Sequence, residues 1–120
     1  MAELISAARL AAIDMGSNAI RLRIVESRPS GRQLLDEQRL NVRMGLATYG
    51  RGELDDGTID SAVAALRACR DACVMHGARR YRAVATAALR DAPNRETLVD
   101  RVRTELGLGP TDLFKLPEAP

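Results

Sequence analysis

Residues 19–26 alternate in polarity, with Ile20, Leu22 and Ile24 at every second position and Arg21 and Arg23 between them. A period of two describes a strand with one buried face and one wet face. Glu26 is assigned with the arginines to the wet face. Upstream, residues 8–14 form a short apolar run that ends in a carboxylate, Asp14, and Met15-Gly16-Ser17-Asn18 separates the two segments. Gly16 and Asn18 can both take positive φ, so this spacer reads as a turn and the two segments as a β-hairpin. The front of the chain is thereby committed to a sheet.

Pro29-Ser30-Gly31 supplies a second turn, and residues 33–43 a third extended segment with Leu35 and Leu40 apolar. Residues 44–57 carry four glycines and little periodicity, and read as a loop. The period then changes. Ile59, Ala62, Val63, Leu66, Cys69, Cys73 and Val74 recur at helical spacing, which predicts a helix over about 59–75, opened by Asp56-Gly57-Thr58 and ended by Gly77. Residues 80–86 read as a strand. Thr86 to Arg90 could begin a short helix, and Asn94 is placed to cap a helix over 95–106, with Gly107 after it. The order is β-β-β-α-β-α: an α/β half-lobe in which an antiparallel three-strand meander is extended by the fourth strand, with both helices on one face.

The chain has 120 residues, 46% of them apolar, which suits one packed domain. Only Tyr49, Tyr81 and Phe114 are aromatic, so the core is aliphatic. A formal charge of +2 gives no field that would draw nucleic acid or a membrane surface. No apolar run is long enough to span a bilayer and no signal sequence is evident, so a cytoplasmic location is expected, with Cys69 and Cys73 as reduced thiols. Cys69, Cys73 and His76 share a helix face and could be soft metal ligands. They also share it with Ile59, Val63 and Leu66 and lack a fourth partner, so they read as buried thiols and a helix-end histidine.

The residues best suited to chemistry surround the first turn. Asp14 at a strand end can hold a divalent cation directly or through water. Gly16 lets a phosphate approach the backbone, and Ser17 and Asn18 add side-chain donors to the exposed amides of the turn. Arg90, just after Thr86, can fork onto phosphate oxygens. The residues alone also permit an ordinary polar hairpin and a solvated arginine.

Four blocks in order resemble the exopolyphosphatase/guanosine pentaphosphate phosphohydrolase (Ppx/GppA) family. They are Ile13-Asp14-Met15-Gly16-Ser17-Asn18 with Arg21; Val42-Arg43-Met44-Gly45-Leu46 with Gly52-Glu53-Leu54; the run from Arg82 through Thr86 and Arg90 to Ala92; and Asn94-Arg95 with Glu105-Leu106-Gly107-Leu108. The resemblance implies a ribonuclease-H-like, actin-like ATPase fold. It implies Asp14 for metal or water positioning, Gly16, Ser17 and Asn18 as a first phosphate loop, Arg90 as a phosphate fork and Thr86 beside it, with Mg2+ as cofactor and polyphosphate or guanosine pentaphosphate as substrate. Ala19 departs from the hydroxyl residue usual at that position in the family.

The resemblance covers about residues 10–108, which assigns 1–108 to a partial domain and leaves 109–120 as a proline-containing tail. The family's Ser-Gly-x-Glu-Glu-Ala segment, with its presumed general base, and its second loop, Asp-x-Gly-Gly-Gly-Ser, do not occur. The expectation is an N-terminal fragment, inactive alone, from a truncated, frameshifted or split gene. The alternatives are a phosphate-binding module that self-associates or pairs with a chain supplying the missing half, and the opening of another actin-like ATPase or sugar kinase.

Overall fold

The computed structural model describes residues 7–85 and 87–108. The expected strands are present: β1 (Ala8–Met15), β2 (Ala19–Arg28), β3 (Gly31–Asn41) and β4 (Arg80–Ala85). They form one sheet in the order β3-β2-β1-β4. β1 and β2, and β2 and β3, pair antiparallel, whereas β4 pairs parallel to β1. The parallel pair requires a crossover, and α1 (Asp56–His76) supplies it. A short α2 (Ala87–Arg90) and α3 (Arg95–Leu106) follow. The proline-containing tail, 109–120, lies outside the described residues.

One face of the sheet is buried. Ala11, Ile13 and Met15 of β1 and Ile20, Leu22 and Ile24 of β2 point into a core shared with Ile59, Ala62, Leu66 and Cys69 of α1. Helix α3 packs against α1 and adds Leu98, Val102 and Leu106. The opposite face is bare, with Ala12, Asp14, Arg21, Arg23 and Arg82 exposed on it.

Five local expectations are corrected. Glu26 lies on the helix side, because β2 keeps its parity to Arg28, and it is only 8% exposed. Arg9, opposite it on β1, and Arg28 form ion pairs with its carboxylate at 3.2 and 2.8 Å. The Arg9 hydrogen bond, outweighing burial and aided by Arg28, holds that carboxyl below its ordinary value. Residues 44–57 are not all loop: Leu46–Arg51 form a π-helical turn, with Ala47 and Thr48 buried. The Thr48 hydroxyl donates to the Ala88 carbonyl at 2.8 Å, tying this turn to α2.

Val74 leaves the α1 stripe and is 75% exposed, because the step after Cys73 rotates it to the wet side. Helix α1 also begins earlier than expected. Asp55 is its N-cap residue and accepts a 2.6 Å hydrogen bond from the Thr58 hydroxyl. Finally, the Asn94 side chain does not cap α3. It reaches back to Leu54, accepting from its N–H at 3.0 Å and donating to its carbonyl at 2.7 Å. Gly77 and Gly107 do end their helices in the left-handed region.

Candidate functional site

Strand β1 delivers Asp14 to the bare face and Met15 to the core in consecutive steps. The chain then reverses. Gly16 N–H donates to the Ala19 carbonyl at 2.9 Å and closes the turn. Neither Gly16 nor Asn18 has positive φ, contrary to the sequence expectation. Gly16 is favoured by space instead, since a Cβ there would lie 3.1 Å from the Ala19 carbonyl oxygen.

The segment after β3 braces the turn. Gly45 N–H donates to the Ser17 carbonyl at 2.9 Å, and a Cβ at position 45 would sit 3.0 Å from Ser17 Cβ. The glycine seen in the second sequence block therefore has a steric role against the first.

Asp14, Gly16, Ser17 and Asn18 line one concavity together with Ala19, Arg21 and Arg39. Sheet register explains the arginines. Asp14 faces Arg21 across β1 and β2, and Arg21 faces Arg39 across β2 and β3. A carboxylate and two guanidinium groups thus lie in one row across three strands, beside a turn that presents backbone and side-chain donors. Such an arrangement suits an anion whose oxygens accept several hydrogen bonds.

Arg90 is elsewhere on the same end of the molecule. Because β1 and β4 are parallel, the turn after β1 and the segment after β4 leave the sheet at one end. Arg90 closes α2, is exposed, and does not line the Asp14 concavity. Its carbonyl accepts from Arg95 Nη1 at 2.6 Å. Next to it, the Tyr49 hydroxyl donates to Asp91 at 2.6 Å. That bond raises the Tyr49 pKa, with burial adding to the effect and Arg90 opposing it. Thr86 lies outside the described residues.

The sequence reading missed Arg39, Asn41 and Arg43, whose spacing of two puts them on one side of β3 and its extension. Together with Asn18 they line a second depression.

Cys69, Cys73 and His76 are not drawn together as one group of side chains. Both thiols are buried, and burial, with Cys73 adding to it, pushes Cys69 up to about 12. His76 Nε2 lies 3.4 Å from Asp36. Among the described residues no group of three or more His, Cys, Asp or Glu side chains is placed to hold an ion. Nor, among them, is any helix long and apolar enough to cross a membrane.

A β-β-β-α-β-α unit with a polar turn between its first two strands is a ribonuclease-H-like half-lobe of the actin-like class. The family model of the Ppx/GppA phosphatase family matches residues 23–110, and the chain belongs to that family. Residues 14–18 precede the matched range. Exopolyphosphatase 1 of Mycobacterium tuberculosis is 29% identical over 101 residues, which are 83% of this chain and 29% of that protein. The Mycobacterium leprae exopolyphosphatase 1 is 30% identical over 83% of this chain and 30% of its own length. The crystal structure of the Aquifex aeolicus Ppx/GppA family member superposes with a TM-score of 0.80 at 29% identity, over 86% of this chain and 34% of that one. A Cytophaga hutchinsonii exopolyphosphatase gives 0.79 at 26% identity, over 84% and 32%. The chain therefore spans about a third or less of the relatives it matches.

Proposed function

We propose that this chain supplies the first phosphate-binding turn of a phosphoanhydride hydrolase, acting on polyphosphate or guanosine pentaphosphate, and that it is inactive without further elements. The observation that carries the reading is the shared concavity of Asp14, Gly16, Ser17 and Asn18, bordered by Arg21 and Arg39. Gly16, Ser17 and Asn18 hold a phosphate through backbone and side-chain donors. Arg90, which lies outside the Asp14 concavity, forks onto phosphate oxygens, and Thr86 adds a hydroxyl donor.

The donor set fits magnesium in one form only. Asp14 is a single carboxylate, so it cannot cage the ion, but magnesium commonly takes one or two carboxylates and completes its shell with water and substrate phosphates. Bound so, the ion would neutralise charge on the phosphoryl oxygens. Asp14 otherwise orders water at the edge of the turn. A positioned base and donors on the opposite side of the phosphate are also required. The presumed base segment and second loop of the family do not occur in this sequence, and the chain contributes one wall of the site.

The test is a chimera in which this chain replaces the matching segment of a full-length exopolyphosphatase. Phosphate release from polyphosphate with magnesium is expected from the chimera and not from the chain alone. Asp14→Asn and Arg90→Ala should each lower kcat of the chimera by tenfold or more. A folded, active chimera indifferent to both substitutions would refute the assignment.

A second reading has one observation in its favour. Strand β4 ends the sheet order among the described residues, and an end strand is where another chain can add to a sheet. Under that reading the chain is a module completed by a partner or a second copy. Sedimentation over a range of concentrations separates the two, since a monomer of 13.0 kDa throughout excludes self-pairing.

A further inference from the structure

The turn at residues 16–18 and Arg90 are placed in different ways. The turn joins β1 to β2, so the pairing of those strands fixes it. Arg90 has no strand beneath it. It closes α2, a helix of four residues, and a single helical turn does not hold itself in water. Its direction is therefore set by what that turn is tied to.

Two of the ties come from one segment. Thr48 and Tyr49 are consecutive in the Leu46–Arg51 turn. The Thr48 hydroxyl donates to the Ala88 carbonyl at 2.8 Å, and the Tyr49 hydroxyl donates to the Asp91 carboxylate at 2.6 Å. These anchors bracket Arg90 from two residues before it to one residue after it. Ala88, Leu89 and Ala92 are buried, and Arg95 holds the Arg90 carbonyl at 2.6 Å, so the backbone is pinned while Arg90 itself is exposed. Tyr49 is 60% exposed, and burial alone does not account for its position.

The start of the same segment rests on the other element. Gly45 N–H donates to the Ser17 carbonyl at 2.9 Å, and a Cβ at position 45 would crowd Ser17. A contact with Ser17 and a contact with Ala88 are thus only three residues apart in sequence. The segment between them is braced. Ala47 and Thr48 are buried, Gly52 N–H donates to the Thr48 carbonyl at 3.1 Å, and Arg51 pairs with Asp55 at 3.0 Å. Turns of π geometry recur at functional sites.

We propose that Gly45–Tyr49 is a strut between the two elements, in which Thr48 and Tyr49 are positioning residues that hold Arg90 in a set direction relative to the Ser17 turn. The proposal rests on the phosphate reading given above for the ligand alone; the strut itself stands on the contacts. Neither hydroxyl touches the ligand, since both already donate to α2 and the residue after it. Without them Arg90 keeps its charge and loses its direction, and a bidentate fork depends on direction.

The test combines amide hydrogen exchange with an orthophosphate titration, both by NMR on the labelled full chain, in wild type, Y49F, T48V/Y49F, R90A and the triple variant. The Asp91 and Ala92 amides, which close the α2 turn, should exchange about tenfold faster in T48V/Y49F, and Y49F alone should show the same pattern to a smaller degree. The Gly16 and Gly45 amides should stay within about twofold of wild type. Orthophosphate should bind R90A and T48V/Y49F each about threefold or more weakly than wild type, and the triple variant no more weakly than R90A, because residues that act through Arg90 then have nothing left to position. The same cycle with Y49F alone, at an exposed position, serves if the buried Thr48 change unfolds the chain. Unchanged Asp91 and Ala92 protection would overturn the strut, as would a rise in exchange shared equally by Gly16 and Gly45. A triple variant that falls below R90A by the same factor as T48V/Y49F falls below wild type would overturn the positioning role. If R90A binds orthophosphate like wild type while Asp91 and Ala92 alone lose protection, the phosphate role of Arg90 is lost and the strut stands.

Discussion

Substitution of Asn94 separates two roles that a sequence cannot distinguish. A helix-capping asparagine and one that bridges to a distant backbone look alike in a list of residues. In the fold, the Asn94 amide takes both polar groups of Leu54, a residue only 1% exposed. Asn94→Ala leaves that N–H and that carbonyl without partners. Each unsatisfied group costs about 1–3 kcal/mol, so a total loss of roughly 2–4 kcal/mol is expected. For a domain of this size the melting temperature should fall by roughly 10–25 °C. Asn94→Asp is the sharper variant. As helix caps, aspartate and asparagine are about equal, so a capping role predicts almost no change. In the bridging geometry the second carboxylate oxygen faces the Leu54 carbonyl and lies near Glu53, whose carboxylate the native amide contacts at 3.4 Å. A loss of about 2 kcal/mol is expected there. Urea denaturation of the three proteins gives the answer, and an Asn94→Asp stability within about 0.5 kcal/mol of wild type would refute the bridging argument.

The remaining predictions concern the core and its margins. Glu26 has a folded pKa below its ordinary 4.5, so its pairing with Arg9 and Arg28 stabilises the fold above that pH and is lost as pH falls through the lower, folded value. Stability measured from pH 6 to 2 should therefore show the advantage of wild type over Glu26→Gln shrinking below about pH 4.5. Cys69 and Cys73 should resist a disulfide-exchange reagent at pH 8 in the native protein and react together once urea unfolds it; rapid native labelling would contradict their burial. Val74→Lys should change stability by less than about 0.5 kcal/mol, whereas Leu66→Ala should cost about 2–5 kcal/mol, as read from denaturation midpoints.

The parts of this fold that were legible in the sequence are those set by near neighbours. The hairpin follows from alternation at Ile20, Leu22 and Ile24, and the main helix from the spacing of Ile59 to Cys73, because each pattern is complete within its own segment. What was hidden depends on partners far along the chain. Arg39 joins the row with Asp14 and Arg21 only through the register of β3. That register contains an irregularity, with Ile24 opposite Asp36 but Val25 opposite Leu34. The helical turn at Leu46–Arg51 follows four residues after a strand, in a stretch with glycine at 45, 50, 52 and 57, yet Thr48 is fixed by a carbonyl forty residues away. Glu26 had the right parity for burial. Its charge argued otherwise until Arg9 and Arg28 appeared beside it. At the site, the turn was legible as a polar Gly-Ser-Asn segment, while its dependence on Gly45 and its arginine border were not.

Among the described residues one strand pairing, β1 with β4, is parallel, and it bears on the order in which the molecule assembles. β1 meets β2, and β2 meets β3, across short reversals, so the meander can zip from its turns at little entropic cost. β4 must return to β1 from roughly seventy positions away, after the whole crossover has formed. We expect the meander with residues 14–18 to become ordered first and β4 with Arg90 to join last. On partial denaturation β4 should be the first strand to part, and hydrogen exchange should report lower protection for Arg82–Ala85 than for Ile20–Ile24. Residues 14–18 would then stay ordered after Arg90 is released, so the two elements proposed to hold phosphate would be lost separately.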